Sequence, residues 1–140
     1  MSVQIRRAGV ADKLSVVELT RDFATSFETD DEMFSIAFDE LIVGKDVTFL
    51  VAVESEVVVG YCLGFHHQTL FANGLVSWVE ETAVAENQHG KGIGQKLIEE
   101  FEKEAKIRDS RLVAMATRRA SDFYTKLGYE ESAVYFRKII

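Results

Sequence analysis

A chain of 140 residues is the size of one domain and long enough to bury a core, and 47% hydrophobic with 28% charged residues is an ordinary globular composition. A net charge of −7 argues against general nucleic-acid binding, which needs a basic footprint, and mildly favours a cationic or amine-bearing partner. No apolar run approaches the ~20 residues of a membrane span, the first residues are polar and strand-like rather than a signal peptide, and the single Cys62 has no internal disulfide partner; a cytoplasmic, reduced setting is expected.

In chain order, 3–7 alternates apolar and polar residues and predicts a first strand. Asp12 is placed to cap a helix over 13–27, where Leu14, Val17, Leu19, Phe23 and Phe27 recur at roughly helical spacing. A second helix is predicted over 31–43. Asp30 and Asp31 suit the positive end of its dipole, Met33, Phe34, Ile36, Ala37, Phe38 and Leu41 give it a broad apolar face, and Gly44 ends it. The acids around these helices (Asp22, Glu28, Asp30, Asp31, Glu32, Asp39 and Glu40) suit a polyamine or aminoglycoside, or simply form a solvated face.

Residues 47–53 and 57–65 are β-rich and flank the turn Glu54-Ser55-Glu56, a hairpin whose second arm carries Gly60 and Gly64 as signs of a bulge or a close approach. Cys62 lies in that apolar arm and reads as a buried thiol in preference to a nucleophile. Residues 69–74 are loop-like, and 75–84 form another strand. A polar turn then leads into His89-Gly90-Lys91-Gly92-Ile93-Gly94 and a helix running to about 108–109, with Ile93, Leu97, Ile98, Phe101, Ala105 and Ile107 on one face. Glycines at every second position let backbone amides approach a phosphate, and the helix start and Lys91 add positive potential. Spacing alone leaves a tight turn with no ligand equally open. Residues 111–117 predict a strand, 119–127 a helix closed by Gly128, and 129–140 one or two final strands.

The order β-α-α-β-β-β-α-β-α-β demands antiparallel pairing in the hairpin and a crossover to a parallel strand around the glycine loop, hence a mixed sheet. A dinucleotide fold is disfavoured, because the glycines run G-x-G-x-G rather than G-x-G-x-x-G. No Gly-Lys-Ser/Thr ends the loop, which excludes a P-loop.

Element order, strand, glycine loop and helix resemble the GNAT superfamily of acetyl-CoA-dependent N-acetyltransferases over nearly the whole chain. The late run Asp122-Phe123-Tyr124-Thr125-Lys126-Leu127-Gly128-Tyr129 looks like that family's Phe-Tyr-x-x-x-Gly-Phe/Tyr signature. The resemblance implies a GNAT-like α/β (α+β) domain over 1–140: a single mixed, mostly antiparallel sheet with a central parallel crossover and flanking helices. It implies transfer of acetyl from acetyl-CoA to a primary amine of a small molecule or protein, by direct attack on the thioester. The alternative is a catalytically silent CoA-binding or regulatory protein on the same fold.

Carried over residue by residue, the resemblance assigns the cofactor to Ala83, Val84, His89, Gly90, Lys91, Gly92, Ile93, Gly94 and Thr117. An amide near Val84 would polarise the thioester carbonyl. His89 stands where the family has Gln or Arg, and Thr117 where it often has Asn. An alkyl ammonium, with a pKa near ~10, must lose a proton before it attacks. Glu80 and Glu81 stand where family members carry the base. Strand alternation lets only one of them serve, and Glu80, which shares parity with Thr82 and Val84, is preferred. Tyr124 matches the tyrosine that protonates the departing thiolate. Arg118 and Arg119 lie beside this region and are expected either to contact CoA phosphates or to be exposed helix-start arginines with no specific role. His66, His67, Phe71 and Trp78 are expected either to line the acceptor side or to pack. The β-rich tail 135–140 suits pairing across a homodimer.

Overall fold

The computed structural model describes residues 2–140. Its strands are β1 (Gln4–Arg7), β2 (Val47–Glu54), β3 (Val57–Thr69), β4 (Gly74–Val84) and β5 (Val113–Met115), and its helices α1 (Lys13–Phe23), α2 (Asp31–Leu41), α3 (Ile93–Ile107) and α4 (Ser121–Lys126). One mixed sheet runs in the order β1-β2-β3-β4-β5. The first four strands pair antiparallel, and β5, reached through α3, pairs parallel to β4.

Strand alternation sorts the apolar side chains into two cores. Phe49, Val51, Tyr61, Leu63 and Ala83 pack beneath α1 and α2 with Val16, Leu19 and Phe38. Leu50, Ala52, Val59, Cys62 and Val79 pack against Ile93, Leu97, Ile98 and Phe101 of α3. Those four α3 residues are at most 2% exposed. At about 1.5–3 kcal/mol for each large apolar side chain, this burial, not helix propensity, holds α3 in place. Cys62 is fully buried, and burial pushes its thiol up to about 12. That is the environment of an inert packing thiol.

Gly64 sets the distance between α3 and the sheet. A Cβ there would lie 2.2 Å from Phe101 Cε1 and 2.8 Å from the Trp78 carbonyl oxygen. With the space left free, the His66 ring stacks on Phe101 at 5.3 Å between centroids. His66 Nε2 lies 2.7 Å from Thr48 Oγ1, and its Nδ1 lies 2.7 Å from Ser77 Oγ. Ser77 in turn donates to Ser110 Oγ at 2.8 Å. Burial, with Arg108 adding, lowers the His66 pKa to about 4 and keeps the ring neutral. His66 therefore ties β2, β3 and β4 together and does not line an acceptor site.

Several expected elements differ. Asp12 does not cap α1; its carboxylate accepts two bonds from Arg6, at 2.8 and 2.9 Å, and one from the Gly9 amide at 2.8 Å. Helix α1 stops at Phe23 instead of 27. Ala24 is extended, and Phe23 and Phe27 are 43% and 65% exposed, so no packing sustains another turn through Thr25 and Ser26. Helix α2 ends at Leu41, and Asp30 caps its start by accepting from the Met33 amide at 2.9 Å. The β3–β4 hairpin extends to Thr69 and Gly74, so the expected loop shrinks to its tip. Residues 129–140 contain no strand. Val134, Tyr135, Phe136, Ile139 and Ile140 are exposed, and β-propensity without a ladder partner yields only extended backbone. Among the described residues, no helix is long and apolar enough to cross a membrane.

Candidate active site

The site is built on β4, at the point where its two neighbours stop agreeing about its register. On the β3 side, Leu63 pairs with Glu81, but the next pair is Gly64 with Val79. Glu80 is thus an extra residue, a bulge on β4. On the β5 side, the last pair is Val79 with Met115. Beyond Val79, β4 continues along that edge without a pairing to β5.

Backbone alternation then orients the end of β4. The Ala85 amide donates to Val59 O at 2.8 Å, toward β3. The N–H and C=O of Val84 therefore face the opposite way, onto the edge that β5 has left. His89 confirms this direction, since its Nε2 donates to Val84 O at 2.9 Å. An amide without a strand partner, held at the open edge of a strand, is a preorganised donor for developing negative charge.

The bulge also decides the placement of the two carboxylates. Val79 packs with the α3 core, whereas Ala83, four residues on, packs with the α1/α2 core. Unbroken alternation would put them on the same face. The parity that links Glu80 to Thr82 and Val84 is lost at the bulge. Glu80 is exposed, while Glu81 is half-buried and faces α1 and α2. Tyr61 Oη donates to Glu81 Oε1 at 2.6 Å, and Thr20 Oγ1 stands 3.1 Å from that phenol oxygen. Burial raises the Glu81 pKa, the Tyr61 bond opposes it, and the charge of Glu80 adds to it. Tyr61, which is 1% exposed, is a site residue that the sequence does not flag. It sits within an unbroken apolar run, and only its register opposite Ala83 brings it beside Glu81.

Tyr124 lies on the other face of the sheet, with the α3 core. Helix α4 leans on the start of α3, where an added Cβ on Gly94 would meet Phe123 Cζ at 3.2 Å. Tyr124 packs edge-on to Phe123 and Tyr129, at 4.9 and 5.9 Å between centroids, and joins the cluster that contains Val84. Burial raises its pKa, opposed by a hydrogen bond with Thr82, so the phenol is protonated at neutral pH.

The glycine loop completes the assembly. Gly90 and Gly92 have φ of 83° and 78°, left-handed values that other residues rarely adopt, and nothing lies within 4 Å of a Cβ added at either. Helix α3 starts after Gly92 with no side chain capping its first amides. The start of α2, by contrast, is closed by Asp30. Open amides at a helix start beside left-handed glycines fit a phosphate group. Lys91 is exposed and donates to Gln88 Oε1 at 3.0 Å. Ile93 and Ala83 are buried and can offer only backbone to a ligand. The Thr117 hydroxyl accepts from the Ala120 amide at 3.0 Å and so closes the turn that leads into α4. Arg118, Arg119 and His67 are exposed, Phe71 lies at the hairpin tip, and Trp78 is half-buried on β4. A larger surface hollow of about 330 Å³, lined by Lys106, Asp109, Ser110 and Arg111, lies at the far end of α3, away from this assembly.

Residues 45–131 match the model of the acetyltransferase (GNAT) domain. No curated protein sequence matches the chain. Among solved structures, a transcriptional regulator from Bacillus halodurans C-125 superposes with a TM-score of 0.91 at 23% identity, covering 99% of this chain and 100% of its own. Glucosamine-6-phosphate N-acetyltransferase from Arabidopsis thaliana gives 0.87 at 21% identity, covering 99% of both chains. An aminoglycoside acetyltransferase from an uncultured soil metagenomic sample gives 0.78 at 19% identity, covering 99% of this chain and 96% of its own. At these identities the likeness is one of fold.

Proposed function

The chain belongs to the GNAT acetyltransferase family, and on that premise we propose that it is an acetyl-CoA-dependent N-acetyltransferase for a primary amine, built as one catalytic domain over residues 1–140. One observation carries the reading: the Val84 amide faces the open edge of β4, with Glu81 on one face of the sheet and Tyr124 on the other. A base and an acid flank a preorganised carbonyl-binding amide.

The residues present fit acetyl-CoA. The uncapped α3 start and Gly90–Gly94 would hold its pyrophosphate, and when bound it supplies the activated acetyl carbonyl and a thiolate leaving group. The Val84 N–H takes up the charge that develops on the carbonyl oxygen. Glu81 lies three residues from Val84, about 10 Å along the strand at ~3.3 Å per residue, so it takes the proton lost by the amine through water. Its raised pKa brings it nearer the range useful for a base. Tyr124 gives a proton to the sulfur as the C–S bond breaks and the N–C bond forms. Glu80, exposed on the bulge, faces solvent and draws cationic substrates toward the open edge of β4. The exposed His89 donates to Val84 O and steadies the strand end, which leaves the backbone amides as the phosphate donors. A cytoplasmic enzyme is the setting most consistent with a buried, unpaired Cys62. The exposed apolar tail 134–140 supports self-association as a homodimer.

The test is direct. The purified protein should bind acetyl-CoA by calorimetry and release free thiol when offered primary amines. Tyr124→Phe should lower kcat by about 10- to 100-fold with little change in acetyl-CoA affinity. Absence of acetyl-CoA binding would overturn the donor assignment. Binding without thiol release for any amine, small or on a peptide, would favour the catalytically silent alternative.

A further inference from the structure

A crevice of about 100 Å³ lies between α1, α2 and the sheet, lined by Thr20, Ala37, Phe38, Phe49, Tyr61 and Glu81 among others. It lies on the face of β4 that carries Glu81 and Ala83. Its wall is continuous aromatic surface: Phe34 on Phe38 at 5.9 Å, Phe38 on Phe49 at 5.4 Å, and Phe49 on Tyr61 at 6.0 Å between centroids. Glu81 is the one charged side chain among the lining residues, and its only polar companions there are the hydroxyls of Tyr61 and Thr20.

We propose, resting on the acetyl-transfer reading above, that this crevice is the acceptor site and that it selects a primary amine carried on a short apolar chain of about three to four carbons. Size sets the upper limit. At the ~30 Å³ that a water molecule occupies in the liquid, about 100 Å³ holds three to four groups of that size. Chemistry sets the other limits. One carboxylate can serve, through water, one nitrogen held at the crevice mouth, and the aromatic wall favours hydrocarbon and tolerates a cation above a ring face. A second ammonium or a row of sugar hydroxyls would enter apolar surface without partners, at a cost of about 1–3 kcal/mol for each buried unsatisfied group.

The acid-rich helices do not reverse this choice. Asp39 pairs with Lys13 at 2.7 Å, Asp31 pairs with Arg21, and Asp30 caps α2. None of the seven acids between Asp22 and Glu40 lines the crevice. The pattern that suits a polyamine in the sequence is, in the fold, taken up by ion pairs, a cap and solvated surface.

The experiment compares thiol release from acetyl-CoA with methylamine, n-butylamine, spermidine, glucosamine 6-phosphate and kanamycin, using the wild type and Ala37→Leu. Ala37 is exposed at the crevice rim, so a larger side chain there closes the crevice without entering the core. We expect kcat/KM for n-butylamine to exceed that for spermidine, glucosamine 6-phosphate and kanamycin by at least about 10-fold. In Ala37→Leu we expect KM for n-butylamine to rise about 10-fold, methylamine to change by less than about 3-fold, and CoA binding to stay the same. A preference for any of the polar amines, or an equal loss for all amines in Ala37→Leu, overturns the proposal. If the wild type turns over no amine, acetyl transfer fails as a separate matter. Calorimetric titration of n-butylamine into the protein–CoA complex then decides: binding that Ala37→Leu weakens supports the crevice as an amine site, and no binding refutes it.

Discussion

The two faces of the sheet are built to opposite specifications. On the α3 face, Ile93, Leu97, Ile98 and Phe101 at 0–2% exposure, a ring stacked over Gly64 and a satisfied His66–Thr48–Ser77 network close the packing. On the α1/α2 face, the packing is interrupted by a crevice, and a half-buried carboxylate is held by a phenol. The first face fixes where the Val84 amide points. The second carries a group in an environment that disfavours its charged form. The contrast teaches that β4 acts as a partition: close packing lies on one side, and on the other, imperfect burial raises the pKa of a carboxyl group.

The largest expected effect tests the rigid face. Gly64→Ala forces a Cβ into Phe101 and the Trp78 carbonyl and should cost about 3 kcal/mol by urea unfolding. A loss below about 1 kcal/mol would mean that α3 yields easily and the face is not rigid.

Next comes the tuned face. Glu81→Gln should lower kcat/KM by about 10²-fold, whereas Glu80→Gln should stay within about twofold. A raised folded-state pKa means that the protonated carboxyl favours the fold. That contribution is present below the unfolded value and lost as pH rises through the folded one. Glu81→Gln should therefore be the more stable protein at pH 7, as well as the less active one. Equal losses from the two substitutions would remove the distinction between bulge and crevice.

The smallest effect lies with His66. Its lowered pKa makes the unfolded chain bind the proton first, so its stabilising contribution is full above 6.5 and declines as pH falls toward about 4. We expect a loss on the order of 1–2 kcal/mol across that window, followed by thermal unfolding. His66→Gln should flatten the slope while leaving the activity of the folded enzyme within about twofold.

Most of the fold is legible in the sequence because its signals are local. Hydrophobic period, glycine punctuation and the β-rich arms locate all five strands and all four helices to within a few residues. The failures are equally physical. The tail 129–140 has strand composition but no partner, and α1 loses its last turn because Phe27 finds nothing to pack against. On the site, the glycine loop, Tyr124 and the Glu80-Glu81 pair stand out as motifs. The role of each within the pair does not, because alternation counted along the chain assumes an unbroken strand.

By itself, the sequence determined the mixed α/β architecture, the strand–glycine loop–helix unit and the short set of candidate site residues, since each depends on neighbours in the chain. Only the tertiary structure decided that Glu81 and not Glu80 meets Tyr61, that His89 turns to Val84, that the Val84 amide faces an open edge, and that the crevice is small and apolar. Those outcomes depend on register between paired strands. A single extra residue at a bulge exchanges the two faces, and no periodicity along one strand records where its partner will force that exchange.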